Sequence, residues 1–142
     1  MRIGKYSVKV LEAGYIALDG GAMFGIIPKP LWEKTNPADE SNRIAMATRL
    51  LLLEWDNEKM LIDTGMGDRW NEKSRSIYAI DPNVSLEKCL EMEGIEPDEI
   101  TKVLLTHLHF DHTGGSVIAK GESFIPAFPN ARYYVKKKNY EW

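Results

Sequence analysis

The hydrophobic pattern predicts a chain that begins with long strands. Residues 7–18 are rich in β-branched and apolar side chains and favour a strand, with a kink at Gly14. Residues 44–55 form the next predicted strand, and its continuous apolar end is typical of a central strand buried on both faces. Polar residues at 56–58 predict a turn, after which residues 59–62 return as the second strand of a hairpin.

The second part of the chain mixes helices with short strands. Ser85 can cap a helix over residues 86–93, whose apolar side chains fall on one face. Residues 101–105 predict a short buried strand, residues 115–119 a short helix and residues 133–135 a last strand. This order favours a mixed α/β architecture. In such folds ligands bind beyond the carboxyl ends of strands.

A long segment without a clean period separates the first two strands. Residues 22–42 contain three prolines and predict a loop with one helical turn at 31–34. A loop of this length in a compact domain is usually functional, so we expect a lid or a dimer arm. Met23, Phe24 and Trp32 are candidates for an apolar substrate pocket or a dimer contact, with plain core packing as the alternative.

Composition and charge narrow the class of protein. The chain has 142 residues, of which 44% are apolar, and this suits one domain with a hydrophobic core. With 18 basic and 21 acidic residues the net charge is −3, which excludes a nucleic-acid binder held by bulk positive charge. The single cysteine, Cys89, excludes an intrachain disulfide and an all-cysteine zinc site.

No segment of the sequence predicts membrane insertion or secretion. The apolar runs, such as residues 50–53, are too short to span a bilayer. Residues 1–6 lack the apolar stretch of a signal peptide. We therefore expect a cytoplasmic protein that contacts neither membrane nor nucleic acid.

All three histidines of the chain lie in one short motif, which carries the candidate chemistry. His107, His109 and Asp111 share one parity, so in an extended chain they point to one side. His112 follows at once, and the turn residues 113–115 allow it to face the same site. Four nitrogen and oxygen ligands within six residues can bind two metal ions, each through two of them. Imidazole and carboxylate suit Zn²⁺, with Fe or Mn as alternatives.

The motif resembles the His-x-His-x-Asp-His signature of the metallo-β-lactamase superfamily. Residues 63–65, Asp-Thr-Gly after a hydrophobic strand, look like the upstream aspartate motif of that superfamily. Residues 19–25 and 28–32 are similar to a narrower branch that holds methyl parathion hydrolase-like and N-acyl homoserine lactonase-like enzymes, as are residues 134–137. The resemblance covers nearly the whole chain.

The resemblance implies an αββα sandwich of two similar halves, about twice the length of this chain. Residues 1–142 then form the N-terminal half, and a second polypeptide, either a C-terminal half or another copy of the chain, completes the fold. It also implies that His107 and His109 bind one metal ion while Asp111 and His112 bind the other. The remaining ligands come from the second half, since no histidine follows His112. Asp63 is expected to orient the metal loop through hydrogen bonds.

The implied function is metal-dependent hydrolysis of small neutral esters, lactones or phosphotriesters. Two zinc ions about 3.5–4 Å apart would share a hydroxide that attacks the substrate. Asp111 is the expected catalytic residue, because its carboxylate can handle the proton. Two alternatives stay open: a non-catalytic half-domain that needs a partner chain, and a glyoxalase-type thioester hydrolase.

Overall fold

The structure, a computed structural model, describes residues 1–141 as a mixed α/β fold. Six strands form one sheet in the order β1-β2-β3-β4-β5-β8, and β6 and β7 form a separate hairpin. In chain order the strands are β1 (Arg2–Ile3), β2 (Tyr6–Asp19), β3 (Arg43–Trp55), β4 (Glu58–Ile62), β5 (Lys102–Leu105), β6 (Val117–Lys120), β7 (Ser123–Pro126) and β8 (Arg132–Val135). The helices are α1 (Gly20–Phe24), α2 (Lys29–Trp32), α3 (Glu72–Ile77), α4 (Leu86–Met92), α5 (Phe110–Thr113) and α6 (Lys137–Glu141).

The two longest strands, β2 and β3, pair antiparallel, and β3 lies inside the sheet, as its apolar run predicts. The predicted burial on both faces needs correction, since one face of β3 has no covering layer among residues 1–141. The two strands run side by side from Ser7, opposite Glu54, to Asp19, opposite Arg43. Their register shifts between Glu12 and Tyr15, which confirms the kink expected at Gly14. Glycine is required there because a Cβ atom would lie only 2.9 Å from the hydroxyl of Thr48.

The strands that lead to the histidine motif are parallel. β4 returns from β3 through a tight turn, then pairs in parallel with β5, and β5 pairs in parallel with β8. Leu61 lies opposite Val103, and Val103 lies opposite Tyr133. The carboxyl ends of these three strands therefore meet at one edge of the sheet, where α/β proteins place their ligands.

One face of the sheet packs against α4 and forms the core. Ser85 caps this helix by accepting a hydrogen bond from the amide of Lys88, which confirms the predicted helix start. Leu90 is buried against the sheet, and Cys89 donates from Sγ to the carbonyl of Glu12 at 2.8 Å. Burial raises the pKa of the Cys89 thiol, so this side chain serves packing. The fully buried residues of the core include Leu52, Leu61, Ile100 and Val103.

The opposite face of the sheet carries an apolar row without a covering layer among residues 1–141. Its members lie directly opposite one another across five strands, and they are Val10, Leu51, Ile62, Leu104 and Tyr134. Val10 is 58% exposed, Leu104 36% and Tyr134 38%. An aligned apolar row of this extent is the kind of surface that a second layer covers in α/β folds.

Two predictions of secondary structure need correction. The helix expected at 115–119 is wrong: residues Gly114–Ser116 form one 3₁₀ turn, and Val117–Lys120 form strand β6. A two-residue turn that starts at Gly121, with φ +62°, returns the chain as β7. The sequence predicts a single helical turn at 31–34 in the segment 22–42. The structure instead has the end of helix α1 and the whole of helix α2 in this segment. No helix among residues 1–141 is long and apolar enough to cross a membrane.

Candidate metal centre

The histidine motif begins where β5 ends, at the edge of the sheet that also holds the end of β4. His107 follows the strand by two residues, and His109 is the N-cap of α5. On the neighbouring strand, Asp63 follows directly after β4, and its amide donates to the carbonyl of Leu104 at 2.8 Å. We call the two segments that follow these strands, residues 63–67 and 106–116, the ligand loops.

The ligand loops interlock through backbone contacts. The amide of Thr64, a fully buried residue, donates to the carbonyl of His112 at 2.8 Å, and the amide of Gly115 donates to the carbonyl of Gly65 at 3.3 Å. The loops also approach too closely for side chains, since a Cβ atom on Gly114 or Gly115 would overlap the backbone of the opposite loop. The position of the histidines is therefore set by both loops together.

The four predicted metal ligands lie side by side. The ring centroids of His107 and His109 are 4.7 Å apart, and those of His107 and His112 are 4.0 Å apart. Nε2 of His112 is 3.4 Å from Oδ2 of Asp111. Within residues 1–141, no group of three or more histidine, cysteine, aspartate or glutamate side chains is arranged to hold a metal ion by itself.

The chemistry of this cluster suits zinc. Imidazole nitrogen and carboxylate oxygen are zinc donors, and Nε2 of His112 and Oδ2 of Asp111, 3.4 Å apart, are close enough to share one ion. Asp111 and His112 are partly open, with side-chain exposures of 26% and 33%, so an ion and a small molecule can reach them. The residues present could thus supply part, but not all, of the ligands that two zinc ions would need.

Asp63 is the hydrogen-bonding centre of the ligand loops. It is only 7% exposed and adopts φ +64°, a backbone conformation that aspartate tolerates better than most residues. Its carboxylate accepts from the amide of Thr106 at 2.8 Å and from Nδ1 of His112 at 2.8 Å. Because a carboxylate only accepts, Nδ1 of His112 carries the proton and Nε2 is left to bind a metal. These are the contacts that the predicted orienting role requires.

The predicted pocket residues occupy the segment between β2 and β3. Trp32 is only 4% exposed and lies so close over Gly20 that a Cβ atom there would overlap the indole ring. Phe24 stacks on Trp32 with ring centroids 5.0 Å apart, whereas Met23 is 46% exposed. The structure thus brings Phe24 and Trp32 together in a small local core. A role of the three residues in a substrate pocket stays a prediction.

Three aromatic residues that the sequence analysis did not select lie beside the ligand loops. Trp70 is 5.7 Å from Tyr78 and 5.4 Å from Phe110 between ring centroids, and Tyr78 is 5.4 Å from Phe110. Trp70 and Phe110 line an open hollow of about 370 Å³ together with Leu108. Arg69 and Thr113 also line this hollow, so its surface is mixed. Phe110 stands inside the histidine motif, and the hollow therefore lies next to the candidate metal ligands.

Arg49 is a further residue that the sequence gave no reason to select. It lies on the uncovered sheet face and donates from Nε to Glu12 at 2.8 Å. Together with Asp111 and His112 it lines a smaller hollow of about 200 Å³. A cation therefore stands at the rim of the candidate metal centre.

A sheet packed against helices, with a compact histidine and aspartate motif at the carboxyl edge of its parallel strands, is the arrangement expected from the sequence resemblance. The sequence model of the Metallo-beta-lactamase superfamily matches residues 49–142. The chain belongs to this superfamily, which confirms the family predicted from the histidine motif.

Curated relatives of the chain are lactonases. It is 31% identical over 114 residues to the N-acyl homoserine lactonase AiiB of Agrobacterium fabrum, a match that covers 74% of the chain and 41% of the relative. It is 29% identical over 100 residues to the N-acyl homoserine lactonase AiiA of Bacillus thuringiensis subsp. kurstaki, covering 63% of the chain and 36% of the relative. The chain thus spans less than half of the length of these relatives.

Solved structures also match this chain over about half of their own length. A probable metal-dependent hydrolase from Staphylococcus aureus superposes with a TM-score of 0.89 at 34% identity, over 99% of this chain and 50% of that one. AidC, a dizinc quorum-quenching lactonase, superposes with a TM-score of 0.74 at 26% identity, over 99% of this chain and 45% of its own. The predicted metallo-β-lactamase fold is confirmed, and the half-length match is that expected of an N-terminal half.

Proposed function

We propose that this chain is the metal-binding half of a zinc-dependent hydrolase that opens lactones and cleaves related small neutral esters. The observation that carries the proposal is the adjacency of four zinc-type donors, His107, His109, Asp111 and His112, at the carboxyl end of β5. A bound divalent cation supplies Lewis acidity, which activates water near neutral pH and polarises a carbonyl group.

The side chains of this half hold the ion and handle the proton. His107 pairs with His109, and Asp111 pairs with His112, each pair serving one ion. Asp63 keeps Nε2 of His112 free for the ion by accepting the proton of Nδ1. The carboxylate of Asp111 is partly exposed beside His112, where it can accept a proton and pass it to the leaving oxygen.

The choice of zinc rests on the donor set and on one neighbour. Imidazole and carboxylate suit Zn²⁺, and AidC is a dizinc enzyme. Iron and manganese use the same donors. Elemental analysis of the purified protein distinguishes the three, and two zinc ions per complete site is the expected result.

The choice of lactones rests on the relatives and on the hollow beside the ligand loops. AiiB and AiiA are N-acyl homoserine lactonases. The hollow of about 370 Å³ lined by Trp70, Leu108 and Phe110 offers an apolar wall next to the candidate ligands. Such a wall suits the acyl tail of a neutral substrate. Phosphotriesters and thioesters remain competing substrates for the same metal chemistry.

Completion by a second layer is part of the proposal. The apolar row of Val10, Leu51, Ile62, Leu104 and Tyr134 lies open on the sheet, and the chain spans about half of its structural neighbours. We expect the rest of the gene product, or another copy of the chain, to cover this row and to supply the remaining ligands. Reading the coding frame beyond Trp142 for two more histidines and an aspartate tests this directly. We also propose that the protein is cytoplasmic.

A substrate panel on the completed, zinc-loaded protein tests the activity. The panel contains a long-chain N-acyl homoserine lactone, an aryl phosphotriester, a glutathione thioester and a chromogenic β-lactam. We expect the lactone to give the highest kcat/KM, and Asp111→Asn to abolish turnover.

Asp56→Asn, a matched change at an exposed turn, is the control and should retain activity. Thioester or β-lactam turnover tenfold above the lactone, about 1.4 kcal/mol of transition-state preference, would reject the substrate assignment. Zinc binding without any turnover would instead support the non-catalytic half-domain.

A further inference from the structure

Thr106 connects the buried carboxylate to a second histidine. Its Oγ1 is 2.8 Å from Oδ2 and 3.0 Å from Oδ1 of Asp63, and 3.1 Å from Nδ1 of His107. A threonine hydroxyl has one proton and two lone pairs. It can therefore donate to one of these neighbours and must accept from the other.

The direction of this chain of hydrogen bonds follows from the carboxylate. Asp63 is 7% exposed and ionised carboxylates only accept, so the hydroxyl proton of Thr106 points to Asp63. A charged acceptor forms the stronger bond, which excludes donation to the neutral ring instead. The lone pairs of Thr106 then face Nδ1 of His107, and that nitrogen must carry a proton to form a bond at 3.1 Å.

We propose that Thr106 is a positioning residue through which Asp63 fixes the tautomer of His107. With the proton on Nδ1, the unprotonated Nε2 of His107 is directed to the metal, just as Nε2 of His112 is by direct contact with Asp63. One buried carboxylate thereby sets two ligands, one directly and one through a hydroxyl. The metal-binding part of this inference rests on the proposed function; the tautomer does not.

The local structure allows the hydroxyl to be removed without disturbing the loop. The amide of Thr106 donates separately to Asp63 at 2.8 Å, and its carbonyl accepts from the side chain of Asn139 at 2.9 Å. Both bonds involve the backbone of residue 106 and persist in Thr106→Val. Residue 106 is exposed, so valine leaves no buried void and creates no overlap. Thr106→Ser keeps the hydroxyl and serves as the rescue variant.

Long-range ¹H–¹⁵N NMR of the histidine rings tests the tautomer in the full, metal-free chain. The chain has only three histidines, and the spectrum is recorded at a pH where imidazole is neutral. We expect Nδ1–H for both His107 and His112 in the unaltered protein. Thr106→Val should move His107 towards Nε2–H, the form preferred by free imidazole side chains, while His112 stays unchanged. Thr106→Ser should restore His107.

The matched control is Thr113→Val, because the hydroxyl of Thr113 donates to the carbonyl of His109 rather than to a ring. It should leave the tautomers of His107 and His112 as they are. An Nε2–H tautomer of His107 in the unaltered protein would overturn the inference. So would a His107 signal that does not respond to Thr106→Val.

Zinc titration followed by calorimetry tests the second part of the inference. Thr106→Val should weaken zinc affinity about tenfold, in the range typical of groups that orient metal ligands, and Thr106→Ser should restore it. A tautomer change with unchanged zinc affinity would overturn the role of Thr106 in metal binding. Failure of the completed protein, with its second half present, to bind zinc would instead refute the proposed function, while the expected NMR result would still support the tautomer assignment.

Discussion

The ligand loops and the segment between β2 and β3 are built in different ways. The ligand loops are joined by contacts between parts of the chain that are far apart, such as the bond from Nδ1 of His112 to Asp63. Residues 20–42, which we call the arm, are held mainly by contacts between near neighbours. Asp19 accepts from the amide of Ala22, for example.

The burial of the two regions differs accordingly. Asp63 and Thr64 are the buried polar residues of the fold, 7% and 0% exposed. In the arm, Ile26 is fully exposed and Leu31 is 59% exposed, and only Gly20 and Trp32 are buried. Polar groups that are buried must be fully paired to be tolerated, so we expect changes in the ligand loops to cost more than changes at the exposed positions of the arm. The following changes test this difference.

The largest expected effect comes from adding one methyl group where the ligand loops cross. A Cβ atom on Gly114 would overlap the backbone of Met66, which cannot move without separating the loops. Gly114→Ala should therefore lower the free energy of unfolding by about 3 kcal/mol. Urea unfolding followed by circular dichroism measures this change.

The arm offers the matched control, Gly21→Ala. The nearest atom to a Cβ there is the Asp19 carboxylate at 3.0 Å, the end of a flexible side chain. We expect a change within about 0.5 kcal/mol. Equal losses for the two alanine variants would contradict the contrast between the two regions.

Zinc should stabilise one region and leave the other unchanged. An ion that binds only the folded state adds about 2.7 kcal/mol when its free concentration is a hundredfold above Kd. We expect hydrogen exchange to slow at the amides of His112 and Thr113, which bond to the carbonyl of His109. The amide of Gly25 in the arm, which bonds to the carbonyl of Gly21, should exchange at the same rate. His109→Ala should abolish the gain, and uniform protection of both regions would count against a local site.

Replacing the carboxylate at the centre of the ligand loops should have the next largest effect. Asp63→Asn retains a residue that tolerates φ +64°, so the loss arises from the carboxylate, whose charge and one of whose two acceptor oxygens are removed, and not from backbone strain. We expect a decrease of about 2 kcal/mol in the free energy of unfolding, because hydrogen bonds to charged groups are among the stronger ones. Asp39→Asn in the arm also removes the charge of a carboxylate that accepts from backbone amides, but at the protein surface, and should cost much less. A larger loss for Asp39→Asn would reverse the comparison.

The elements with strong local patterns were predictable from the sequence. The kinked strand β2, the hairpin of β3 and β4, and helix α4 after its Ser85 cap all follow from apolar spacing and turn residues. The four candidate ligands were found because they stand within six residues of one another, so no knowledge of the fold was needed. The superfamily could be predicted from these four residues for the same reason.

The remaining features depend on contacts that no local pattern records. Trp70 and Tyr78 meet Phe110 only after residues 66–83, which have no clean period, fold beside the motif. The role of Thr106 requires the parallel register of β4 and β5, which brings Asp63 within reach across 43 residues. The segment at 115–119 was wrongly predicted as a helix, because the hairpin partner that makes it a strand lies further along the chain.

The smallest expected effect is a pH dependence of the contacts made by Asp19, which directly precedes the arm, and by Asp39 within it. Hydrogen bonds, first from the side chain of Asn42 and then from the amide of Ala22, lower the pKa of Asp19 below its ordinary value of 3.8. The amide of Arg43, followed by its side chain, lowers the pKa of Asp39 in the same way. A depressed carboxyl pKa means that the stabilisation is present above pH 3.8 and is lost as pH falls through the lowered pKa of the folded state.

The amides that bond to these carboxylates report the loss. We expect the NMR signals of Ala22 and Arg43 to shift on acidification below pH 3.8. In the double variant Asp19→Asn, Asp39→Asn these shifts should vanish. The amide of Thr64 is the reference in the ligand loops, since it donates to a carbonyl that does not titrate. If Ala22 and Arg43 began to shift well above pH 5, the carboxylates would gain no stability from their partners, and the contacts of the arm would be weaker than the structure indicates.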